Sequence, residues 1–527
     1  MKWCDYWRGE QMPEDAKTIT VAELMSSPVV TASESDTIAE VGKRMMEAGV
    51  GSVVVVQSGR VTGILTERDL VRFAGEGGQA ATATVSQWMT KDPTTASPDE
   101  DSVDAFKNLS VASYRHIPVV KDSELVGIVS MRDMMRIARI APVDFHDVEI
   151  PEGLEGVHVA HTDLGDVRGS EGFYHYRQYS AVDLAEKRTF EDVWYLMFEG
   201  HLPDRSERKA FEEEVRSLRV IPDEVKRHMA SIATLGDRFV PLEALRAAYS
   251  VYASSQDFKP NLDTNRAQLR SEALRTCAVF PILIMALYRL HNGDEAIDPR
   301  DDLSHASNYL YMLTGEEPSP EHARAMEQYL IATTDHGFNA STFTARVITS
   351  TGADLGSAVL GALGALSGPL HGGAPSRALD MLREIDSEDN AEPWLRDAVE
   401  HGKRLMGFGH RVYKTDDPRH VLLRGVAERL EPGSRKVELA KHVEKKAVEI
   451  LKELKPGRML YPNVEFYSGV VMEMIGMPPT LFTPTFACSR VIGWTAHILE
   501  QASDNRLIRP AASYTGPEPP QDVPEID

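Results

Sequence analysis

"VTGILTERDLVRF", residues 61–73, returns 64 positions later as "LVGIVSMRDMMRI", residues 125–137. The echo extends upstream, where "VAELMSSPVVTASESDTIAEV" precedes the first copy and "VSQWMTKDPTTASPDEDSVDAF" the second. Met25 thus matches Met89, Gly63 matches Gly127 and Asp69 matches Asp133. Each copy reads as an extended Pro-Val-Val or Pro-Thr-Thr, an amphipathic helix, an apolar strand ("SVVVV", "HIPVV"), a second strand after a turn, and a helix opening at Ser/Thr-x-x-Asp. The spacing predicts a β-α-β-β-α unit present twice across residues 20–140, an α+β module built by duplication.

This repeated unit resembles the CBS-domain pair, which implies an adenine nucleotide (ATP, ADP or AMP) bound in the cleft between the halves as a regulatory ligand. In that reading Asp69 and Asp133 bridge ribose hydroxyls. Thr66 and Ser130, three positions earlier, sit at helix N-termini, where backbone N–H groups favour phosphate. Arg115 and His116 of the second copy stand where the first has Gly51 and Ser52. Only one half therefore offers the extra cationic anchor, and the two sites are expected to be inequivalent. A plain helix cap with an acid on the helix dipole explains the same Ser/Thr-x-x-Asp pattern, and that alternative stays open.

Beyond the repeat the composition changes. "APVDFHDVEIPEGLEGV", from residue 141, carries two prolines and five acids and no Lys or Arg, and reads as a linker. Long stretches with helical apolar spacing follow, such as "AVDLAEKRTFEDVWYLMFEG" and "EALRTCAVFPILIMALYRL", while strand-like alternation is scarce. The expected layout is an N-terminal extension (1–19), two repeat domains (20–78 and 79–140), a linker (141–152), a mostly α-helical domain (153–516) and a Pro/acid-rich tail (517–527). With 57 Lys and Arg against 80 Asp and Glu, the net charge is −23, which disfavours nucleic acid and anionic membranes as partners. The three cysteines, Cys4, Cys277 and Cys488, form neither a metal-ligand spacing nor a disulfide framework. No signal-peptide core and no stretch of about 18 apolar residues is read in the sequence, so a cytoplasmic protein is expected.

Four stretches of the helical half concentrate polar groups against this acidic background. "TTDHGFNASTFTARV" places His336 and Asn339 at the polar edge of an apolar helix, and "GALSGPLHGGAPSRA" sets His371 before two glycines. "MGFGHRVYKTDDPRH", 406–420, gathers His410, Arg411, Lys414 and Arg419 behind a Gly-Phe-Gly. "YPNVEFYSGVV" puts Glu465 between Val464 and Phe466, where desolvation would raise a carboxyl pKa toward that of a useful base.

Together, and in this order, these stretches resemble the citrate synthase family, its actinobacterial second citrate synthases in particular. "TFEDVWYLMFEGHLP", "GWTAHILEQ" and "LIRP" extend the likeness over roughly 153–516. The resemblance implies a helical fold with large and small domains, oxaloacetate and acetyl-CoA as substrates, and no cofactor or metal for the chemistry. It implies Glu465 as the base that takes a proton from the thioester methyl group. His371 stabilises the enol, and His410 polarises the keto oxygen of oxaloacetate. His336, Arg419 and Arg490 hold substrate carboxylates, for which a planar guanidinium is suited. Arg509 corresponds to a residue that reaches the neighbouring subunit's site, implying a homodimer or higher oligomer. Lys414 and Arg458 are the candidates for coenzyme A phosphates.

The sequence departs from the family pattern at three places: Glu465 stands for the usual aspartate, Pro375 for asparagine after "HGGA", and Gln178 for glycine in "YRGY". A 2-methylcitrate synthase using propionyl-CoA is the nearest rival, since one methylene in a pocket is worth only about 1–3 kcal/mol. A weakly active regulatory protein binding acyl-CoA and nucleotide is the rival from another class.

Overall fold

The computed structural model describes residues 20–75, 78–102, 105, 116–122, 124–130, 133, 152–154, 156–236, 239–369, 371, 375–409, 412–413, 415–457, 460–510, 512, 514–517, 519–521 and 523. Arg115, His410, Lys414, Arg458 and all but the last residue of the expected linker lie outside them. The chain divides into two compact units, residues 1–157 with 512–527, and residues 158–511.

In the first unit, β1 (Thr31–Ala32), β2 (Ser52–Gln57), β3 (Arg60–Thr66) and β4 (Thr90–Lys91) form one sheet in that order. β1 runs parallel to β2, and the other pairs are antiparallel. β5 (His116–Lys121) and β6 (Glu124–Ser130) repeat the β2–β3 hairpin, down to a register shift at Val119/Val120 that matches the one at Val55/Val56. Val53, Val54 and Val55 are fully buried, as a β-branched run covered on both faces must be. Helix Ile38–Ala48 starts at a Thr37/Glu40 capping box and stops at Gly49, whose φ is +63°.

The two copies exchange their leading segments. β4, which leads into the second copy, pairs with β3 of the first, and Ser26, which leads into the first, bridges Ile128 of β6. The cores follow the same exchange. Val85 joins the cluster of Val53, Val55 and Leu65, and its match Val21 joins that of Ile117, Val119 and Val129. The repeated Gly/Met pairs now have a physical reason. A Cβ on Gly63 would come within 3.0 Å of Met89 Cγ, and one on Gly127 within 2.8 Å of Met25 Cγ, with each sulfur closer still.

The second unit opens with the antiparallel strands β7 (Gly165–Arg168), β8 (Phe173–Tyr176) and β9 (Tyr179–Ser180), then continues as packed helices. Tyr174 and Tyr176 of β8 are buried, and the Tyr176 hydroxyl donates to Ile331 O at 2.8 Å. The β8–β9 turn explains why Gln178 is tolerated in place of glycine: Arg177, with φ +49°, takes the left-handed position and Gln178 does not. Pro375 opens helix Pro375–Ile385, a position whose N–H would have no helical partner anyway.

Helix Arg266–His291 corrects one expectation from sequence. It holds an 18-residue window of mean hydropathy 1.6, long and apolar enough to cross a membrane by composition, yet 78% of that window is buried inside the protein. It is the central core helix, and helix Phe482–Ser503 packs along it. The latter helix also packs on Ala340–Ser350 and Leu355–Leu366, which carries one of its faces to the polar cluster described next.

Candidate active site

Arg490, Trp494 and His497 lie on one face of helix Phe482–Ser503, spaced four and three residues apart as helical neighbours should be. All three address the segment 333–341. Arg490 Nε donates to Thr333 O at 2.9 Å, and Trp494 Nε1 donates to Ser341 Oγ at 3.0 Å. His497 Nε2 stands 3.5 Å from Asp335 Oδ1. Gly493 permits this approach, since a Cβ there would collide with Thr334 O. Burial pulls the Arg490 guanidinium below its ordinary range, and Asp335 partly offsets that.

His336 follows Asp335 in a loop, not on a helix edge as its spacing suggested. Helix Ala340–Ser350 begins only after Asn339, whose Oδ1 caps it by accepting Thr342 N–H at 3.1 Å. His336 Nε2 lies 3.0 Å from Tyr413 Oη, and its ring sits against Tyr174.

His371 is joined to the same segment, its Nε2 2.8 Å from Ser341 Oγ. Burial, and then the positive charge of Arg490, lower its pKa to about 4, so the imidazole is neutral at pH 7.

The Gly-Phe-Gly at 407–409 docks on the segment that carries Glu465. Asn463 N–H donates to Gly407 O at 2.9 Å, Gly409 N–H to Tyr461 O at 2.7 Å, and Asn463 Nδ2 to Gly409 O at 2.9 Å. Gly407 has φ +81°, and a Cβ on it would stand 2.9 Å from Phe466 Cβ. The close approach these glycines allow is therefore to the protein's own chain. Glu465 occupies the first turn of helix Val464–Met474, its N–H donated to Asn463 Oδ1 at 3.0 Å. Burial raises the Glu465 carboxyl to about 7, against the opposing charges of Arg419 and Arg404 and with a smaller upward push from Asp417. Glu465 and His371 line one cavity of about 50 Å³, together with Pro369, Arg404, Met406, Gly407, Phe408 and Asn463.

Arg419 is buried and held fork-to-fork by Asp417, with Nε to Oδ1 at 3.0 Å and Nη2 to Oδ2 at 2.8 Å. Burial works against the Arg419 charge, and Asp417 more than offsets it, holding the pKa above the ordinary range. One edge of the guanidinium, Nε and Nη2, thus serves the protein itself, a role the sequence reading of Arg419 as a substrate clamp did not foresee. Tyr174 and Tyr413 flank its planar face at 6.0 Å each.

The structure brings His336, His371, Arg419, Glu465 and Arg490 into one connected region of the second unit. Arg509 makes no bond to it among the described residues: it is exposed, on a segment held by Asn505 Nδ2 to Ser350 O (3.2 Å) and Ile508 N to Ser350 Oγ (3.0 Å). A larger groove, about 640 Å³, contains neither His371 nor Glu465; Arg424, Lys441, Lys445, Glu444 and Tyr461 line it with charges of both signs. Sequence reasoning missed Ser341, Trp494, Asn463 and Asp417. All four fall inside or beside the quoted motifs, but each also has a partner distant in sequence, which the motifs alone do not show.

In the first unit, Asp69 Oδ2 accepts from Thr66 N (3.0 Å) and Oγ1 (2.7 Å), and Asp133 Oδ2 accepts from Ser130 N (3.0 Å) and Oγ (2.6 Å). Both acids fold back on their helix starts as caps. His116 begins β5 opposite Ser130.

Residues 153–511 match the family described as "Citrate synthase, C-terminal domain", and residues 21–76 and 85–139 match the "CBS domain". The citrate synthase of Haloferax volcanii is 41% identical over 372 residues, covering 70% of this chain and 96% of that protein. The 2-methylcitrate synthase of Mycobacterium tuberculosis is 38% identical over 382 residues, covering 72% and 93%. Among solved structures, the ternary complex of carboxymethyl coenzyme A and oxaloacetate with citrate synthase from Thermoplasma acidophilum matches with a TM-score of 0.65 at 36% identity, covering 71% of this chain and 98% of that one.

Proposed function

The chain belongs to the citrate synthase family and carries a CBS-domain pair, and on that premise we propose that it condenses acetyl-CoA with oxaloacetate and releases citrate and CoA. The observation that carries the reading is the single cavity shared by Glu465 and His371. Glu465, lifted to about 7, is the base for a weakly acidic thioester methyl group: near neutral pH it is both substantially ionised and far more basic than an ordinary carboxylate. His371 stabilises the enol oxygen as a neutral donor. Trp494 Nε1 donates to Ser341 Oγ, and the Ser341 hydroxyl donates in turn to Asn339 Oδ1 at 2.7 Å.

His410 polarises the keto oxygen, and His336, Arg419 and Arg490 take the carboxylates of oxaloacetate. The enol carbon attacks the keto carbon, and water then cleaves the citryl thioester to citrate and CoA. Lys414 and Arg458 take coenzyme A phosphates. Arg509, exposed on its own chain, completes the site of a second copy in a homodimer. The CBS pair binds an adenine nucleotide and modulates the condensing unit, with Thr66, Asp69, Arg115, His116, Ser130 and Asp133 as contacts. Asp69 and Asp133 keep their capping bonds through one oxygen each; the second oxygen of Asp69 lies 3.6 Å from Arg72, and among the described residues that of Asp133 is left for a ribose hydroxyl.

The test is thiol release with oxaloacetate and either acetyl-CoA or propionyl-CoA. The expected result is a higher kcat/KM for acetyl-CoA, with Glu465→Gln slowing turnover by about 10²–10⁴-fold, the usual contribution of a general base. A preference for propionyl-CoA would move the chain to the 2-methylcitrate reaction, which the Mycobacterium relative's name carries. A Glu465→Gln enzyme within a few-fold of wild type would remove Glu465 as the base.

A further inference from the structure

Asp417 is the one carboxylate in the described site whose bonds reach two functional elements at once. It is fully buried, and it is the N-cap of helix Pro418–Leu430, accepting Arg419 N–H at 3.0 Å. Its two oxygens hold the Arg419 side chain, and Oδ2 also accepts Val464 N–H at 3.1 Å. Val464 is the first residue of the helix whose second residue is Glu465. The N-termini of two packed helices thus converge on one carboxylate, each with its positive dipole end toward it.

We propose that Asp417 is a positioning residue that locks the oxaloacetate-clamping guanidinium of Arg419 and the helix start carrying the base Glu465 into one rigid frame, and that its charge shields Glu465 from the full field of Arg419. The proposal rests on the reading of Glu465 as base and Arg419 as clamp. Capping alone would need only one hydrogen bond, and an asparagine could supply it. A buried carboxylate with four donors around it does more: it fixes the separation of two groups that must address the two reacting carbons. Misplacement of about 1 Å at that stage is costly in rate.

The charge argument depends on what faces Glu465. Among the described residues these are Arg419 and Asp417 from helix Pro418–Leu430 and its cap, Arg404 from the turn after helix Glu388–Glu400, Tyr329 from helix Pro320–Thr333, and His371 across the cavity. Helices Pro375–Ile385 and Arg435–Leu454, packed on other faces, contribute Arg383, engaged by Glu473, and Glu444, engaged by Tyr467 and His420. Asp417 is therefore the negative charge that counters Arg419 and Arg404 at Glu465. Removing it should let the cations act unopposed and make Glu465 a weaker base that ionises at lower pH.

The experiment is the pH profile of kcat/KM for acetyl-CoA, at saturating oxaloacetate, in four proteins: wild type, Asp417→Asn, Arg419→Gln and the double variant. Asp417→Asn should move the acid limb down by about 1 pH unit, the scale for one buried charge at close range. Arg419→Gln should move it up, and adding Asp417→Asn to Arg419→Gln should bring it down again. That last comparison isolates Asp417 in a background with no uncompensated buried arginine, so it serves even if the Asp417→Asn single variant does not fold. A residue that merely holds the fold would lower stability in these variants and leave the limbs superimposed, which would overturn the proposal. Glu465→Gln is assayed alongside. If it still turns over, the base assignment fails and the proposal falls with it. If it is dead while the limbs superimpose, only the role of Asp417 fails.

Discussion

Glu465 makes the active-site reading testable without any substrate. Its folded pKa of about 7 lies some 2.5 units above the ordinary value of 4.5. At about 1.36 kcal/mol per unit, that corresponds to at most about 3.4 kcal/mol of folding free energy lost when the half-buried carboxyl is ionised. The sign follows from proton counts. Below pH 4.5 the carboxyl is protonated folded and unfolded alike and contributes nothing. Between 4.5 and 7 the folded state retains a proton that the unfolded state has released, so stability falls as pH rises. Above 7 both states are ionised and the penalty is complete. Glu465→Gln keeps the shape and never ionises, so it should match wild type near pH 4.5, gain on it up to pH 7 and hold a constant lead beyond. In thermal scans without oxaloacetate the lead should be roughly 4 °C, given the entropy of unfolding of a unit this large. A difference in Tm that does not change with pH would refute the claim that Glu465 is desolvated. The catalytic reading would then lose its physical basis.

Gly63→Ala and Gly127→Ala should each destabilise the N-terminal unit by about 1–3 kcal/mol through overpacking, and Met89→Ala and Met25→Ala respectively should relieve it; denaturant melts of the four single and two paired variants check this, and the exchange of leading segments fails if the cross-pairs do not rescue. Inactive Arg509→Ala mixed with inactive His371→Ala should recover part of the activity, because one composite site then regains both groups; no recovery after confirmed subunit exchange counts against a shared site. Calorimetry with ATP, ADP and AMP should show binding heat that disappears in the Asp69→Ala, Asp133→Ala double variant, and full heat in that variant would leave those acids as caps only.

The parts of the fold that were legible from sequence are those whose determinants are local or repeated. The duplication at an interval of 64 residues exposed the N-terminal module, and apolar periodicity exposed the helical half. What stayed hidden was the exchange of leading segments, because Met25 and Gly127 belong to different copies and a pattern match pairs each with its own equivalent instead. Helix Arg266–His291 shows the same limit from another side: its composition suits a lipid or a protein core equally, and only its packing decides. The candidate site divides along this line too. His371, Arg419 and Glu465 stood out because each is an unusual residue in its stretch. Asp417 did not, because an aspartate before Pro-Arg looks like any helix cap until the N–H of Val464, 47 residues on, is seen to share its oxygen. Motifs record which groups meet the ligand, whereas the groups that hold those in place are identified by a partner in space. The two glycines of Gly-Phe-Gly belong with the second kind: their bare backbone faces Leu460 and Phe466, so this conspicuous motif packs against the segment that carries Glu465.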